Sequence, residues 1–564
     1  MPTLTWIGKD KVVNHHHDVP YSVLEKIETF TAPQDTPKNS TKNRIIHGDN
    51  LSVLKSLLPE FEGRVNCIYI DPPYNTGNEG WVYNDNVNDP RIKKWLGDVV
   101  GREGDDLTRH DKWLCMMYPR LKLLHQLLAD NGVVVVSIDE NELFNLKIVM
   151  DEIFGIKNKI GFVVWKNVTD NNPTRISAEH EYVVFYAKDI SLADKIWKSP
   201  SESIKEVVLD QERFFLETYP DAEYRQKNYT KWFNLHKFEL GVFDRYKFID
   251  DDGIYTGSQS VHNPSKDGYR YDVIHPVTGK PCIQPLMGYR FAENTMRDLI
   301  DTGRILYGED ESKIIELKVY AKDYLFKFPS VIEVDSRIGT NEIKSIFLEN
   351  KRPFDFPKSS EFIGRILGFV TKKDSIILDS FAGSGTTAHA VLKLNAQDGG
   401  NRQFILCEMM EYANTITAER VRRVMTGYGE GTKRVDGLGG AFDYYELGEP
   451  LFIGEYLNEV VGESKIRQYV AYSENIPLEQ QTHQSAVSPY LLGINATTAW
   501  IFYYTPQHET ILTVEFLATL KYRTNGYTVP THSIIYADRC VLTTAQLQRY
   551  GIQFKKTPRD ITRL

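Results

Sequence analysis

An α/β fold built on a parallel sheet, interrupted by a long insertion and followed by a further α+β module, is what these 564 residues predict. Three observations lead there. Short, nearly continuous apolar runs alternate with amphipathic helical stretches over residues 43–189 and again over 346–446. Between them the alternation lapses, and from residue 447 a different composition takes over. Strands buried on both faces read as unbroken apolar runs, as a parallel sheet covered by helices requires. The length also exceeds what one hydrophobic core serves.

Residues 1–42 form an N-terminal segment that includes His15, His16 and His17, too few for a tag; no metal site is expected. From Asn43, "RIIHG" reads as a strand, "NLSVLKSLL" as a helix and "RVNCIYI" as a second strand. The stretch "WLCMMYPRLKLLHQLLADNG" reads as a helix ended by Asn131-Gly132, leading into the strand "VVVVSID". After "HEYVVFYAKD" (180–189) comes the insertion, 190–345, rich in Tyr, Phe, Lys, Arg and Asn. Within it "YRQKNYTKWFNLHKF" (224–238) interleaves four Lys/Arg with aromatics, a pattern open to two readings, a solvated surface or a groove-facing one. "SIILDSFAGSGTTAHAVLKL" (375–394) and "QFILCE" (403–408) resume the strand-helix pattern, so 43–189 and 346–446 are expected to be two parts of one domain. In 447–564, "TTAWIFYYT" and "SIIYADRC" read as strands and "TILTVEFLATL" as a helix of a separate α+β module.

Composition excludes several classes. No apolar run approaches the ~18 residues of a membrane-spanning helix, and no signal peptide is evident at the N-terminus, so a cytoplasmic location is expected. The five cysteines (Cys67, Cys115, Cys282, Cys407 and Cys540) are scattered without a CxxC pair, which indicates neither a disulfide framework nor a zinc site. A net charge of −9 does not decide against a nucleic-acid partner, because affinity for phosphates follows local Lys/Arg clusters.

"DSFAGSGTTAHA" follows an apolar strand and opens a helix, with Gly383, Gly385 and Ala388 matching G-x-G-x-x-A. Small residues there let a ligand approach the backbone at a helix N-terminus. Glu408 ends the next strand, where an acid can accept hydrogen bonds from the two hydroxyls of a ribose. Two ligands fit so far, NAD(P) and S-adenosylmethionine. Asp379 and Phe381 extend the motif to D-x-F-x-G-x-G and place a carboxylate where it can face an ammonium group. S-adenosylmethionine carries an ammonium and a sulfonium, and no pyrophosphate.

"YIDPPYNTG" (69–77) runs from a strand into an acid, two prolines and a tyrosine, at the strand end where open α/β sheets bind ligands. Pro72 and Pro73 pin the backbone and leave carbonyl oxygens as acceptors. An exocyclic amino group offers two N–H donors, which Asp71 and the Pro72 carbonyl match. Tyr74 supplies a π-face for a base lifted out of a duplex, an interaction worth roughly 1–3 kcal/mol.

D-P-P-Y and D-x-F-x-G-x-G together resemble the amino-methyltransferases of DNA, which modify adenine N6 or cytosine N4. Their order, with an insertion between them, is similar to the β class, in which the insertion is the target-recognition domain. "PTLTWIGKDKVVNHHHDVPY", "IHGDNLSVLKSLL", "WLCMMYPRLKLL", "HEYVVFYAK", "HPVTGKP", "GRILYG", "GTNEIKSIF" and "KKTPRDITRL" resemble the Mod subunits of type III restriction-modification systems, over nearly the whole chain.

That resemblance implies a Rossmann-like, S-adenosylmethionine-dependent methyltransferase core, target recognition in 190–345 and a partner or assembly domain in 447–564. It implies that Asp71, Pro72, Pro73 and Tyr74 hold the target amino group and base. Asp379, Phe381, Gly383 and Gly385 would contact the cofactor's methionine part and Glu408 its ribose; Thr386, with Phe356, Pro357 and Lys358 of "FDFPKSSEFIGRIL", would add contacts, and Asp49 would lie near its adenine. The implied reaction is direct displacement on a flipped adenine N6 in double-stranded DNA, without metal. The implied partners are a second copy of the chain and a Res subunit carrying helicase and nuclease activities. Three other readings stand beside it. N4-cytosine transfer is disfavoured because the family more often uses Ser in place of Asp71. A nicotinamide-dependent oxidoreductase leaves D-P-P-Y unexplained. A non-catalytic DNA-binding subunit sits poorly with intact motifs. The recognised DNA sequence is not legible, because it depends on which side chains reach the groove edges.

Overall fold

A computed structural model describes residues 3–76, 90–100, 108–168, 176–199, 203–237, 240–263, 267–482, 488–520, 530–558 and 560–561. Pro2, Gly77, Phe238, Arg559 and residues 562–564, all within stretches quoted above, lie outside the described residues. The chain forms two compact units, one of residues 1–195 and 329–564 and one of 196–328.

The first unit is organised by a ten-stranded sheet. Its strands are β1 (Ser22–Thr31), β2 (Arg44–His47), β3 (Val65–Ile70), β4 (Leu128–Ile138), β5 (Lys159–Lys166), β6 (His180–Ala187), β7 (Val331–Glu333), β8 (Ile376–Asp379), β9 (Gln403–Glu408) and β10 (Ala441–Pro450). Their order across the sheet is β1-β10-β2-β9-β8-β3-β4-β6-β5-β7. Only β1 and β6 run against the rest. The central strands β3, β8 and β9 are almost wholly buried, as their continuous apolar runs require.

Helix α1 (Asn50–Phe61) joins β2 to β3 and packs on α2 (Arg109–Leu127), which leads to β4. On the returning part of the chain α3 (Arg337–Ile346) precedes α4 (Ser360–Val370), and α4 packs on α5 (Thr386–Asp398), the connection from β8 to β9. From β3 the chain moves one way along the sheet, and from β8 it moves the other. Between these neighbouring strands lies the topological switch point, where an open sheet leaves a crevice at its carboxyl edge.

Three expectations change. Helix α2 ends at Leu127, and Asn131-Gly132 lies inside β4, where Asp130 and Asn131 are exposed and the pairing with β3 shifts register between Leu128 and Val133. The turn-forming pair therefore makes a bulge in a strand, not a helix stop. Residues 329–345, read as insertion, belong to the sheet unit: β7 pairs in parallel with β5, through three residues too few to show a period. The N-terminal segment supplies β1, which pairs with β10 from Ser22 opposite Pro450 to Thr31 opposite Ala441.

The C-terminal stretch carries a four-stranded sheet of Leu491–Ile494, Thr498–Phe502, His532–Ala537 and Ile552–Lys556. "TILTVEFLATL" divides into a strand, Ile511–Leu512, and a short helix, Val514–Thr519, capped by Thr513. This module is not separate from the core. Helix α6 (Glu463–Ser473) packs on α1, the Tyr472 hydroxyl donates to Glu62 at 2.5 Å, and Tyr21 shares a cluster with Leu451, Ile466 and Tyr469.

The second unit has helices Ser203–Thr218 and Ala222–His236 and a four-stranded antiparallel sheet. In the basic-aromatic stretch Tyr229 and Phe233 are buried in this unit, while Lys227, Lys231 and Lys237 are exposed. The two buried rings are core, not stacking platforms. No described helix is long and apolar enough to cross a membrane. All five thiols are free, and burial pushes those of Cys67 and Cys115 up to about 12.

Candidate active site

Four consecutive parallel strands, β2, β9, β8 and β3, deliver an acid to the carboxyl edge of the sheet. Asp49 follows β2, Glu408 ends β9, Asp379 ends β8 and Asp71 follows β3. Parallel strands end at one edge, so acids far apart in sequence become neighbours.

Asp379 is buried. Its Oδ1 accepts the Phe381 N–H at 3.0 Å and its Oδ2 the Thr387 hydroxyl at 2.5 Å. Glu408 accepts the Gly383 N–H at 2.8 Å and the Met410 N–H at 2.9 Å. Burial pushes both carboxyls up to about 7, and Asp71 and Glu408 raise Asp379 further by their charge. The Met409 N–H and the Tyr412 hydroxyl also donate to Glu408, so its carboxylate is bonded by backbone and side chain alike. Gly383 and Gly385 both adopt left-handed backbone, with φ of 50° and 78°. A Cβ on Gly385 would sit 2.8 Å from the Thr417 carbonyl oxygen, so this glycine serves a backbone contact rather than a ligand. A Cβ on Gly383 would instead meet the Phe354 ring at 3.3 Å.

Beyond Asp71 the chain is fastened residue by residue. The Pro73 carbonyl accepts the Trp113 indole N–H at 2.6 Å. Asn75, at φ 61°, donates to the Arg109 carbonyl at 3.1 Å and to the buried carboxylate of Glu142. Tyr74 is 4% exposed; its hydroxyl donates to Glu181 Oε2 at 2.7 Å and accepts from Lys358 Nζ at 2.9 Å. The same ammonium lies 3.1 Å from Asp71 Oδ2, 3.3 Å from Glu181 Oε2 and 4.9 Å from the centre of the Tyr74 ring. Glu181 Oε1 accepts the Asn167 amide at 2.6 Å.

Lys358 owes its place to its neighbours in sequence. Phe356 takes a left-handed backbone (φ 48°), Ser359 caps α4, and the Lys358 carbonyl accepts the Thr386 hydroxyl at 3.1 Å. Gly339 on α3 has no Cβ where one would strike the Pro357 and Lys358 backbone.

One cleft of about 340 Å3, open to solvent, is lined by Asp71, Phe356, Pro357, Lys358, Asp379, Phe381, Gly383 and Thr386, with Phe354 and Ser384 among their neighbours. Asp49, Pro72, Pro73, Tyr74, Gly385 and Glu408 are not on its wall. Asp49 caps α1 by accepting the Ser52 N–H at 3.0 Å and lies 3.5 Å from Arg120.

Several supporting residues escaped the sequence reading. Asn50 donates to the Ser380 carbonyl at 3.2 Å and accepts from Arg120 Nε at 2.5 Å, tying the end of β2 to the turn after β8. Arg420, fully buried, donates to Thr386 Oγ1 at 2.6 Å, Ser384 Oγ at 2.9 Å and Glu342 Oε2 at 2.8 Å. Burial alone would raise Glu342, yet the charges of Arg420 and Lys393 hold it well below the usual carboxylate range. Burial pushes His389 well below its usual value, so it is neutral, and Arg420 and Lys393 balance Glu342. Asn50, Glu181 and Glu342 lie in the quoted stretches "IHGDNLSVLKSLL", "HEYVVFYAK" and "GTNEIKSIF", which mark the segments and not these residues; Arg420 lies in none of the stretches quoted.

Fold and site are those of an α/β protein with a ligand crevice at its topological switch point. The N6_N4_Mtase family, described as DNA methylase, matches residues 65–419, and the chain belongs to this family. It is 45% identical over 420 residues to the type III restriction-modification enzyme EcoP15I Mod subunit of Escherichia coli, covering 72% of this chain and 64% of that one. It is 33% identical to the StyLTI Mod subunit of Salmonella typhimurium, over 72% of this chain and 58% of the other. To the type II methyltransferase M.KpnI of Klebsiella pneumoniae it is 30% identical, over 66% and 82%. The chain thus spans less than two thirds of the length of these two Mod subunits.

Proposed function

We propose that the chain transfers a methyl group from S-adenosylmethionine to adenine N6 in double-stranded DNA, as the modification and specificity subunit of a type III restriction-modification system in the cytoplasm. The observation that carries this reading is that Asp71 and Asp379, at the ends of adjacent strands β3 and β8, line one cleft. When bound, the cofactor supplies an electrophilic methyl group on a positively charged sulfur. Three clustered carboxyls, Asp71, Asp379 and Glu408, suit such a cation, and two of them are held near neutrality until one arrives. A pyrophosphate would meet the same acids as a repelled anion.

The remaining work falls to the chain. Asp71 and the Pro72 carbonyl accept the two amino hydrogens, which turns the nitrogen lone pair toward the methyl carbon. Asp71 also opposes the positive charge that grows on N6, so the rate comes from placement and electrostatics. The inserted unit, residues 196–328, would read the target sequence, and 447–564 would bind a partner. A second copy of the chain and a helicase-nuclease Res subunit are the assembly partners of this reading.

The deciding experiment incubates purified chain with tritiated-methyl S-adenosylmethionine and unmethylated plasmid DNA, then separates the nucleosides. N6-methyladenine is the expected product. N4-methylcytosine would replace the substrate, and absence of transfer would overturn the reading.

A further inference from the structure

Asp71 already carries an ammonium group. Lys358 Nζ stands 3.1 Å from Asp71 Oδ2, donating to the carboxylate that the reading above gives to the target amine. It has a second carboxylate within reach, Glu181 Oε2 at 3.3 Å, and a third anchor in the Tyr74 hydroxyl at 2.9 Å. Glu181 is itself held, by the Asn167 amide on one oxygen and the Tyr74 hydroxyl on the other. The Lys358 side chain is 5% exposed, and a cation so buried needs a carboxylate beside it.

We propose that Glu181 is a positioning residue for methyl transfer, retaining the Lys358 ammonium while the target amine takes its place on Asp71. This rests on the assignment of Asp71 as the amine acceptor. An amine that bonds to Asp71 Oδ2 meets the acceptor that Lys358 holds. Because Glu181 and the Tyr74 hydroxyl both accept from the same nitrogen, Lys358 gives up Asp71 without leaving a charge stranded. The exchange is short, since the ammonium already lies between both carboxylates. Without the charge on Glu181, Asp71 must balance Lys358, and the ammonium competes with the base. Lys358 then acts as a built-in competitor for the amine, and Glu181 sets how strongly it competes.

The test compares the intact chain, Glu181→Gln and the double variant Glu181→Gln/Lys358→Met, all as full-length protein on plasmid DNA that the intact chain methylates. Glu181→Gln keeps an acceptor for Asn167 and replaces the charged oxygen that faces Lys358 and the Tyr74 hydroxyl with an amide NH2. Its KM for DNA should rise about tenfold, while the Kd for S-adenosylmethionine stays within about twofold. The double variant removes the stranded ammonium with its partner and should recover at least about threefold of the lost kcat/KM. A double variant as poor as Glu181→Gln, or an unchanged KM in the single one, overturns the proposal while leaving the methyltransferase reading standing. An intact chain that transfers no methyl group overturns both. Should thermal melting show Glu181→Gln unfolded, Glu181→Asp, which keeps the charge but withdraws it from Lys358, takes its place, with the same rise in KM expected and an unchanged KM overturning the idea.

Discussion

The backbone N–H of Gly383 donates to Glu408 Oε2 at 2.8 Å, which makes the acid ending β9 and the glycine turn after β8 one structural unit. Both Glu408 and its neighbour Asp379 hold their protons up to about pH 7 because they are buried. A carboxyl whose folded value exceeds its unfolded one binds its proton longer in the folded chain. Its contribution to stability is present below the ordinary carboxylate range and is lost as pH rises through about 7. The ligand-free chain is therefore expected to melt at lower temperature at pH 8 than at pH 6, and Glu408→Gln should flatten that slope. Thermal unfolding across this range measures it, and a rising melting temperature would refute the assignment.

The same sign governs cofactor binding. A sulfonium ligand prefers both carboxyls ionised, so its affinity should increase by about three- to tenfold between pH 6 and 8. Protons should be released on binding near pH 6.5. Calorimetry in two buffers of different ionisation enthalpy detects that release, and its absence would remove these acids from the cofactor site.

The two glycines of the turn should fail differently. Gly385→Ala drives a Cβ toward the Thr417 carbonyl and strains a left-handed residue, so about 1–3 kcal/mol of stability should be lost. Gly383→Ala points toward the Phe354 ring in the cleft wall and should lower cofactor affinity with the smaller effect on melting. Equal losses of stability in both would show that the turn has no ligand side.

Tyr74 carries more than a ring. Its hydroxyl joins Glu181 to Lys358 in a buried setting, so Tyr74→Phe should cost about 1–3 kcal/mol and reduce methyl transfer, although the π-face survives. Asp71→Ala should lower transfer by several orders of magnitude while S-adenosylmethionine still binds. Denaturant unfolding and the tritium assay check these pairs. Full activity in Tyr74→Phe would leave stacking as the tyrosine's one task.

Removing one partner of the buried pair Arg420–Glu342 should be severe. Glu342→Gln strands the guanidinium that holds Thr386 and Ser384, at about 3–5 kcal/mol. The double variant Glu342→Leu/Arg420→Met should be the more stable of the two. If urea midpoints show the reverse order, the bonds that Lys393 and Ser360 make to Glu342 outweigh relief of the stranded guanidinium.

How far the site was legible follows from how its residues are encoded. Asp71, Asp379 and Glu408 could be placed because each closes a short apolar run, and the ends of parallel strands share one edge. Asn50, Glu181 and Arg420 could not, because their roles depend on partners such as Ser380, Lys358 and Glu342 that no local pattern links to them. Asn131-Gly132 misled for a related reason. The pair favours a turn wherever it occurs, and only the register between β3 and β4 shows that the turn lies inside a strand. Likewise Tyr229 and Phe233 look like a binding face until the buried side of their helix is known.

The order of strands also bears on how the chain is made. Strands β2 and β3 stand on either side of two places that only β8 and β9 fill, and β1 waits for β10. A ribosome releases β1 to β6 first, then the contiguous unit 196–328, and the strands that complete the sheet last. Until residue 450 emerges, the early strands hold open hydrogen-bonding edges that a second nascent chain can occupy, and such distant pairings form slowly. The unit 196–328 faces no such wait, since its partners are all within it. Synthesis rate, more than final stability, is thus expected to set how much of this protein reaches its folded state.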